Sequence, residues 1–242
     1  VGVLAGACQS VRTDEPFSYC MRYAWLQLRR WYIARRTLGE PLHACMNTSL
    51  PALATPFEQI EFVALDIETT GLDPATADMI SVGWVIVRNG RVLLETARSM
   101  LVRPSGDVGA SASVHGLTDT HVQTGADWGV AFDNIAETLT GRVLLVHHAG
   151  LDKSLLDRMC LSRYGTRLLV PVVDTMALER ERQQRHHHLQ TDTSLRLPDL
   201  REAYGLPRYA AHDCLVDAIA TGELLAAMVA HRKDTTLGDL LS

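Results

Sequence analysis

An uninterrupted apolar run, Phe62-Val63-Ala64-Leu65, ends in Asp66-Ile67-Glu68, and this stretch constrains the fold more than any other. A short apolar run closed by turn residues reads as a buried strand. Successive side chains of a strand point to opposite faces, so Asp66 and Glu68 project on the same side. Two like charges stacked at the end of a buried strand are costly unless something neutralises them. A divalent cation such as Mg²⁺ or Mn²⁺ suits paired hard oxygen ligands. Thr69-Thr70-Gly71-Leu72-Asp73 then supplies a polar, glycine-containing turn. Alone, an Asp-x-Glu pair reads as two solvated acids at a strand end, so the metal reading depends on partners further along.

At 242 residues and 47% hydrophobic, the chain can bury one substantial core, which fits one domain with an appendage. The formal net charge of −5 rules out a polycation drawn to nucleic acid by bulk charge. Metal ions can invert the local field at a site, so this balance neither supports nor excludes a nucleic-acid substrate. The five cysteines, Cys8, Cys20, Cys45, Cys160 and Cys214, are odd in number, scattered and free of C-x-x-C spacing. They fit a reducing, cytoplasmic setting better than a disulfide scaffold. No run of about 18 apolar residues is present, so no membrane span is expected.

Residues 1–58 differ from the rest and are expected to form a helical extension and linker. Over Phe17–Arg36 the pattern is helical, with Met21, Trp25, Leu28 and Tyr32 on one stripe and Arg22, Arg29 and Arg36 on another. A basic amphipathic helix can touch a membrane surface, a nucleic acid or a partner protein, but the favoured expectation is that the aromatic stripe packs on the main domain and the arginines are solvated. Gly39-Glu40-Pro41 stops the helix, and Leu50-Pro51 through Thr55-Pro56 reads as a linker.

The main domain spans 59–231, with 232–242 as a short tail. Strands are expected over Phe62–Glu68, Met79–Arg88, Arg91–Val102, Arg142–His147 and Leu168–Val173. Asn89-Gly90 is suited to a tight hairpin of type I′. Helices are expected over Trp128–Leu139, Asp152–Cys160, Leu197–Tyr204 and Asp213–His231. A meander followed by strands alternating with helices predicts an α/β fold with a mixed sheet. The tract Arg185-His186-His187-His188 reads as solvated loop or helix end.

Two further acids complete the pattern. Asp152 follows the strand that ends in His147-His148, where a helix begins; by itself it reads as a cap. Asp217 stands among Leu215, Val216, Ala218 and Ile219, so it is expected to face a partner rather than bulk water. His212, five residues earlier, can open onto the same cavity.

Phe62–Gly71, Val146-His147 through Asp152, and His212 with Asp217 resemble, in order, the three motifs of the DEDD exonuclease superfamily, histidine subtype. Val114-His115-Gly116-Leu117-Thr118, Val173-Asp174-Thr175 and Tyr204-Gly205-Leu206 match its accessory signatures, and the resemblance covers about residues 60–230. The nearest in style are the proofreading epsilon subunits of bacterial DNA polymerase III and their stand-alone homologues. The resemblance implies a ribonuclease H-like fold, here a mixed five-stranded sheet flanked by helices. It also implies two-metal hydrolysis of phosphodiester bonds from the 3′ end of a nucleic acid strand, releasing nucleoside monophosphates. Asp66 would bridge two Mg²⁺ or Mn²⁺ ions, Glu68 and Asp217 would complete one site, and Asp152 would support the other. His212 would act as general base, and Thr69, Thr70, Gly71, Leu72, His115, His147 and His148 would meet the substrate. His148 stands where the family usually has asparagine and Leu151 where it usually has phenylalanine; both changes bear on substrate preference.

Single-stranded DNA is the favoured substrate, with an exoribonuclease acting on RNA or short oligoribonucleotides as the alternative. A non-catalytic polymerase-associated module is a third, weaker reading, because the ligands and the base are all retained. Only about a dozen residues follow the last helix, so a stand-alone enzyme is expected over a polymerase-bound one.

Overall fold

The computed structural model describes residues 16–36, 39–106, 122–185, 194–210, 212–230, 232 and 234–241, without the side chains of 16–18. The expected His115 segment and His186–His188 lie outside the described residues.

At the centre lies a five-stranded sheet in the order β3-β2-β1-β4-β5. β1 (Glu61–Thr69), β2 (Met79–Arg88) and β3 (Arg91–Leu101) form an antiparallel meander. β4 (Val143–Val146) and β5 (Val172–Asp174) continue the sheet in parallel from β1. Asn89 and Gly90 join β2 to β3 with φ of 51° and 67°, the left-handed pair that a type I′ turn requires.

Period-two alternation divides the strand residues between two cores. Val63, Leu65 and Ile67 face one side, with Val82, Leu144 and Val146, beneath α3 (Trp128–Thr138) and α4 (Ala149–Tyr164). Phe62 and Ala64 face the other side, with Val85, Val87 and Leu145, beneath α5 (Thr175–Arg185) and α7 (Cys214–Val229). Asp66 and Glu68 continue the Phe62–Ala64 series, so they project beside α7. α6 (Leu197–Ala203) packs on α7 through Leu200 and Leu224.

The last strand is shorter than its apolar pattern predicts. Pro171 has no amide to give to the ladder, and the pairing starts only at Val172. The charged tract after it is a helix, α5, stabilised by Glu179–Arg182 and Glu181–Arg185 pairs one turn apart. A short helix, α2 (Leu42–Asn47), lies between the Gly39-Glu40-Pro41 stop and the Leu50-Pro51 segment, in a stretch to which the sequence pattern assigned no element.

The N-terminal helix α1 (Pro16–Ala34) forms where expected but presents the other side to the core. Tyr23, Arg30 and Ile33 are buried, whereas Met21, Trp25, Leu28 and Tyr32 are 56–63% exposed. A buried cation decides this orientation. Arg30 donates to the carbonyls of Leu169 (2.5 Å), Cys45 (2.6 Å) and Thr48 (2.9 Å), tying α1 to α2 and to the segment before β5. Residues 51–60 and 235–241 pack on each other, with Leu237 and Leu240 buried and Phe57 N donating to Thr235 O (2.8 Å).

Candidate active site

The carboxylates of Asp66, Glu68 and Asp217 each offer an oxygen within 4.8 Å of the others. The first two stand on β1 and the third on the first turn of α7, so the cluster depends on how closely that helix approaches the sheet. Gly83 permits the approach. It lies directly opposite Asp66 in the β1–β2 ladder. A β-carbon there would fall 2.3 Å from Leu215 N and 2.5 Å from Cys214 C. A lone glycine inside a strand pattern marks a close backbone approach, and this is the signal by which the sequence could have disclosed it.

Asp152 enters from the other side, on the first turn of α4, and is buried. Asp174 positions that helix. Its carboxylate accepts from the amides of His148 (2.9 Å) and Ala149 (2.8 Å) at the start of α4, and from Met176 (2.9 Å) and Ala177 (3.3 Å) at the start of α5. One side chain therefore satisfies orphan amides at two helix starts.

Electrostatically the four acids are strained against one another. Burial, then the charges of Asp152, Asp217 and Glu68, hold Asp66 well above the ordinary carboxylate range. Burial, followed by the charge of Asp174, raises Asp152 to about 8, against the pull of amide hydrogen bonds. Glu68 and Asp217 are also raised, chiefly by burial, with His212 acting in the opposite direction on both. Asp213, which the sequence reading did not single out, adds to this repulsion while capping α7 through Leu215 N (3.0 Å) and Val216 N (3.1 Å). Hard oxygen donors at this spacing, each destabilised as an anion and with no cationic side chain inside the cluster among the described residues, fit a divalent metal.

His212 is exposed and borders the cluster, and its amide donates to Asp217 Oδ2 (2.9 Å). Its φ is 71° and that of His148 is 78°. Both are left-handed, a conformation that costs a non-glycine residue energy and persists where surrounding contacts over-determine it. The loop before His212 is held from behind: Arg201, fully buried, donates to Pro207 O (3.0 Å) and to Ala220 O of α7 (2.9 Å).

The expected substrate-contacting residues separate into two kinds. His147 is committed internally, with Nδ1 2.8 Å from Thr175 Oγ1 and Nε2 2.9 Å from Leu195 O. Thr69 Oγ1 donates to Gly71 O (2.6 Å), and Thr70 Oγ1 accepts from Asp78 N (2.9 Å), so both hydroxyls shape the turn. Leu72 is 89% exposed at the rim, and His148 is also exposed. A cavity of about 200 Å³ bordered by Asp78, Arg103, Trp128 and Arg158 does not include the carboxylates. Both of its arginines are committed to backbone carbonyls.

Comparison with known proteins bears on the fold and the family. The chain is 34% identical over 199 residues to the DNA polymerase III subunit epsilon-like protein of Rhodobacter capsulatus, covering 78% of this chain but 27% of that protein. The chain thus spans about a quarter of its relative's length. In fold it is similar to Exonuclease X, solved with 5′-overhanging duplex DNA (TM-score 0.56, 19% identity, 74% of this chain and 97% of that one). It is likewise similar to E. coli Exonuclease I, solved with a dT13 oligonucleotide (TM-score 0.60, 18% identity, 72% and 42%). A family profile described as Exonuclease, RNase_T, matches residues 63–225, a stretch that runs from the strand bearing Asp66 through the helix bearing Asp217. More than half of the sequence falls under that profile, and the chain belongs to the exonuclease family.

Proposed function

We propose that this chain is a metal-dependent 3′→5′ exonuclease that hydrolyses DNA, single-stranded DNA above all, and releases nucleoside monophosphates. The observation that carries the reading is the convergence of Asp66, Glu68 and Asp217, with Asp152 beside them, at a spacing that repels anions and suits cations. Asp66, central to the cluster, would be shared between two ions, with Glu68 and Asp217 completing one site and Asp152 supporting the other. Mg²⁺ or Mn²⁺ bound there would supply charge stabilisation to the attacking and leaving oxygens of an in-line displacement.

The remaining work falls to the protein. The His212 imidazole takes a proton from the attacking water; it is exposed, at the mouth of the cluster, and its backbone is fixed through Asp217. Leu72 and Gly71 at the rim, with exposed His148, meet the terminal nucleotide, a role that the motif resemblance also implies for His115. The internal hydrogen bonds of Thr69, Thr70 and His147 make them positioning residues for that surface. DNA is preferred over RNA in this reading because the similar proteins are named for a DNA polymerase or solved with DNA.

Digestion of 3′-labelled and 5′-labelled oligonucleotides, as DNA and as RNA, with Mg²⁺ and with EDTA, tests the whole reading. Stepwise shortening of 5′-labelled DNA and immediate release of a 3′ label as mononucleotide, both stopped by EDTA, are expected. Endonucleolytic fragments, insensitivity to EDTA or much faster loss of RNA would each overturn the corresponding part.

A further inference from the structure

We propose that the outward face of α1 is a docking surface for an anionic lipid bilayer, on which the helix lies without crossing. Met21, Trp25, Leu28, Trp31 and Tyr32 are 55–63% exposed, five of the eleven large apolar side chains exposed among the described residues. Five on one helix form a contiguous patch rather than scattered single residues, and a patch of this kind is often an interaction site. Folding has already satisfied the opposite side of the helix through Tyr23, Arg30 and Ile33. The outward face is therefore surplus to what the core needs.

Its chemistry specifies the occupant. Arg22, Arg29, Arg35 and Arg36 flank the apolar stripe, and no acid occurs from residue 16 to residue 39, in a chain whose net charge is −5. Among the described residues none of the four forms an ion pair; Arg29 instead lies 4.5 Å over the Trp25 ring and Arg35 3.3 Å over Trp31. Tryptophan and tyrosine beside arginine suit the headgroup layer, where rings wedge in and cations meet phosphate. Among the described residues no helix is long and apolar enough to span a membrane.

Two other occupants fit less well. A second copy would set arginine against arginine. The 19-residue helix also presents about 300 Å² (roughly 28 by 10 Å), well below the approximately 800 Å² per partner of a stable interface. Substrate nucleic acid is disfavoured by position. Tyr164, at the far end of α4 from Asp152, donates to Glu40 O (3.3 Å), in the turn between α1 and α2. Asp152 and Tyr164 are separated along α4 by about 18 Å.

The test is co-sedimentation of the full chain with phosphatidylcholine vesicles, with and without phosphatidylglycerol, and tryptophan quenching by lipids brominated in the acyl chain. Binding is expected to be at least about ten-fold tighter to the anionic vesicles, with quenching, and to fall about five-fold for each arginine removed in R22Q, R29Q and R36Q. The W25S/Y32S variant, altered only on the outward face, is expected to lose both binding and quenching while its circular dichroism stays unchanged. Equal binding to neutral and anionic vesicles, no binding to either, or undiminished binding by W25S/Y32S would overturn the proposal. A shift from dimer to monomer in W25S/Y32S would replace lipid with a second copy. Loss of affinity for single-stranded DNA in that variant would replace it with nucleic acid.

Discussion

Asp152 shows how a single side chain can oppose folding in order to serve a site. Its carboxyl titrates at about 8 in the folded protein against an ordinary 3.8. Below 3.8 the neutral form favours the folded state fully, and that contribution is lost as pH rises through about 8. Metal-free protein is therefore expected to lose stability between these limits. Asp152→Asn, which cannot ionise, should melt about 2–8 °C higher than the parent at pH 8 without metal, the response of a chain this size to roughly 1–2 kcal/mol. The same variant should lose turnover; thermal melts across pH and a nuclease assay check both halves. His212→Ala should lower turnover by about 10²–10⁴ while Mn²⁺ titration finds binding largely intact, since the imidazole handles a proton and not the ion. Full activity across pH would remove His212 from its role. Asp66, Glu68 and Asp217 were legible from sequence because charge beside an apolar run demands a partner, whereas Asp152 alone reads as a cap and only the motif resemblance groups it, with His212, with the others. Asp213 was not legible, since an acid before a helix reads equally well as a cap.

At the scale of elements, the decisive contact is α7 against β2. Gly83→Ala places a methyl group inside the backbone of Cys214 and Leu215, which cannot yield as a flexible side chain would. The helix must shift, and with it Asp217. Loss of at least about ten-fold in turnover is expected, with destabilisation of about 1–3 kcal/mol in urea melts. Wild-type activity would show that α7 does not set the geometry of the cluster. The strands and the longer helices were readable because their apolar periods are distinct. α5 was not, since its surface is mostly charged and its stability comes from Glu179, buried and held ionised by Arg182, Tyr204 and Gln183 against the effect of burial. The orientation of α1 was equally hidden. Two apolar stripes compete on that helix, and the pairing of Arg30 with three distant carbonyls chooses between them.

For the whole molecule, the acidic cluster couples folding to metal. A cation that binds only the folded form at about 100 times its Kd adds about 2.7 kcal/mol, which raises Tm by about 5–11 °C in a chain of this length. Mg²⁺ or Mn²⁺ should produce this rise, EDTA should reverse it, and Asp66→Ala should abolish it. Calorimetry with each ion measures it directly, and a parent protein whose Tm ignores both ions would argue against the metal site. By itself the sequence determined the fold class, the strand that carries two acids on one face and the helix starts that carry the others, because period and local charge are properties of neighbours along the chain. Only the tertiary structure decided that α7 comes close enough at Gly83 to gather three carboxylates, and that α1 turns its aromatic stripe to solvent. Both outcomes depend on contacts between residues far apart in sequence, where the loss of one β-carbon or the burial of one guanidinium outweighs any local preference.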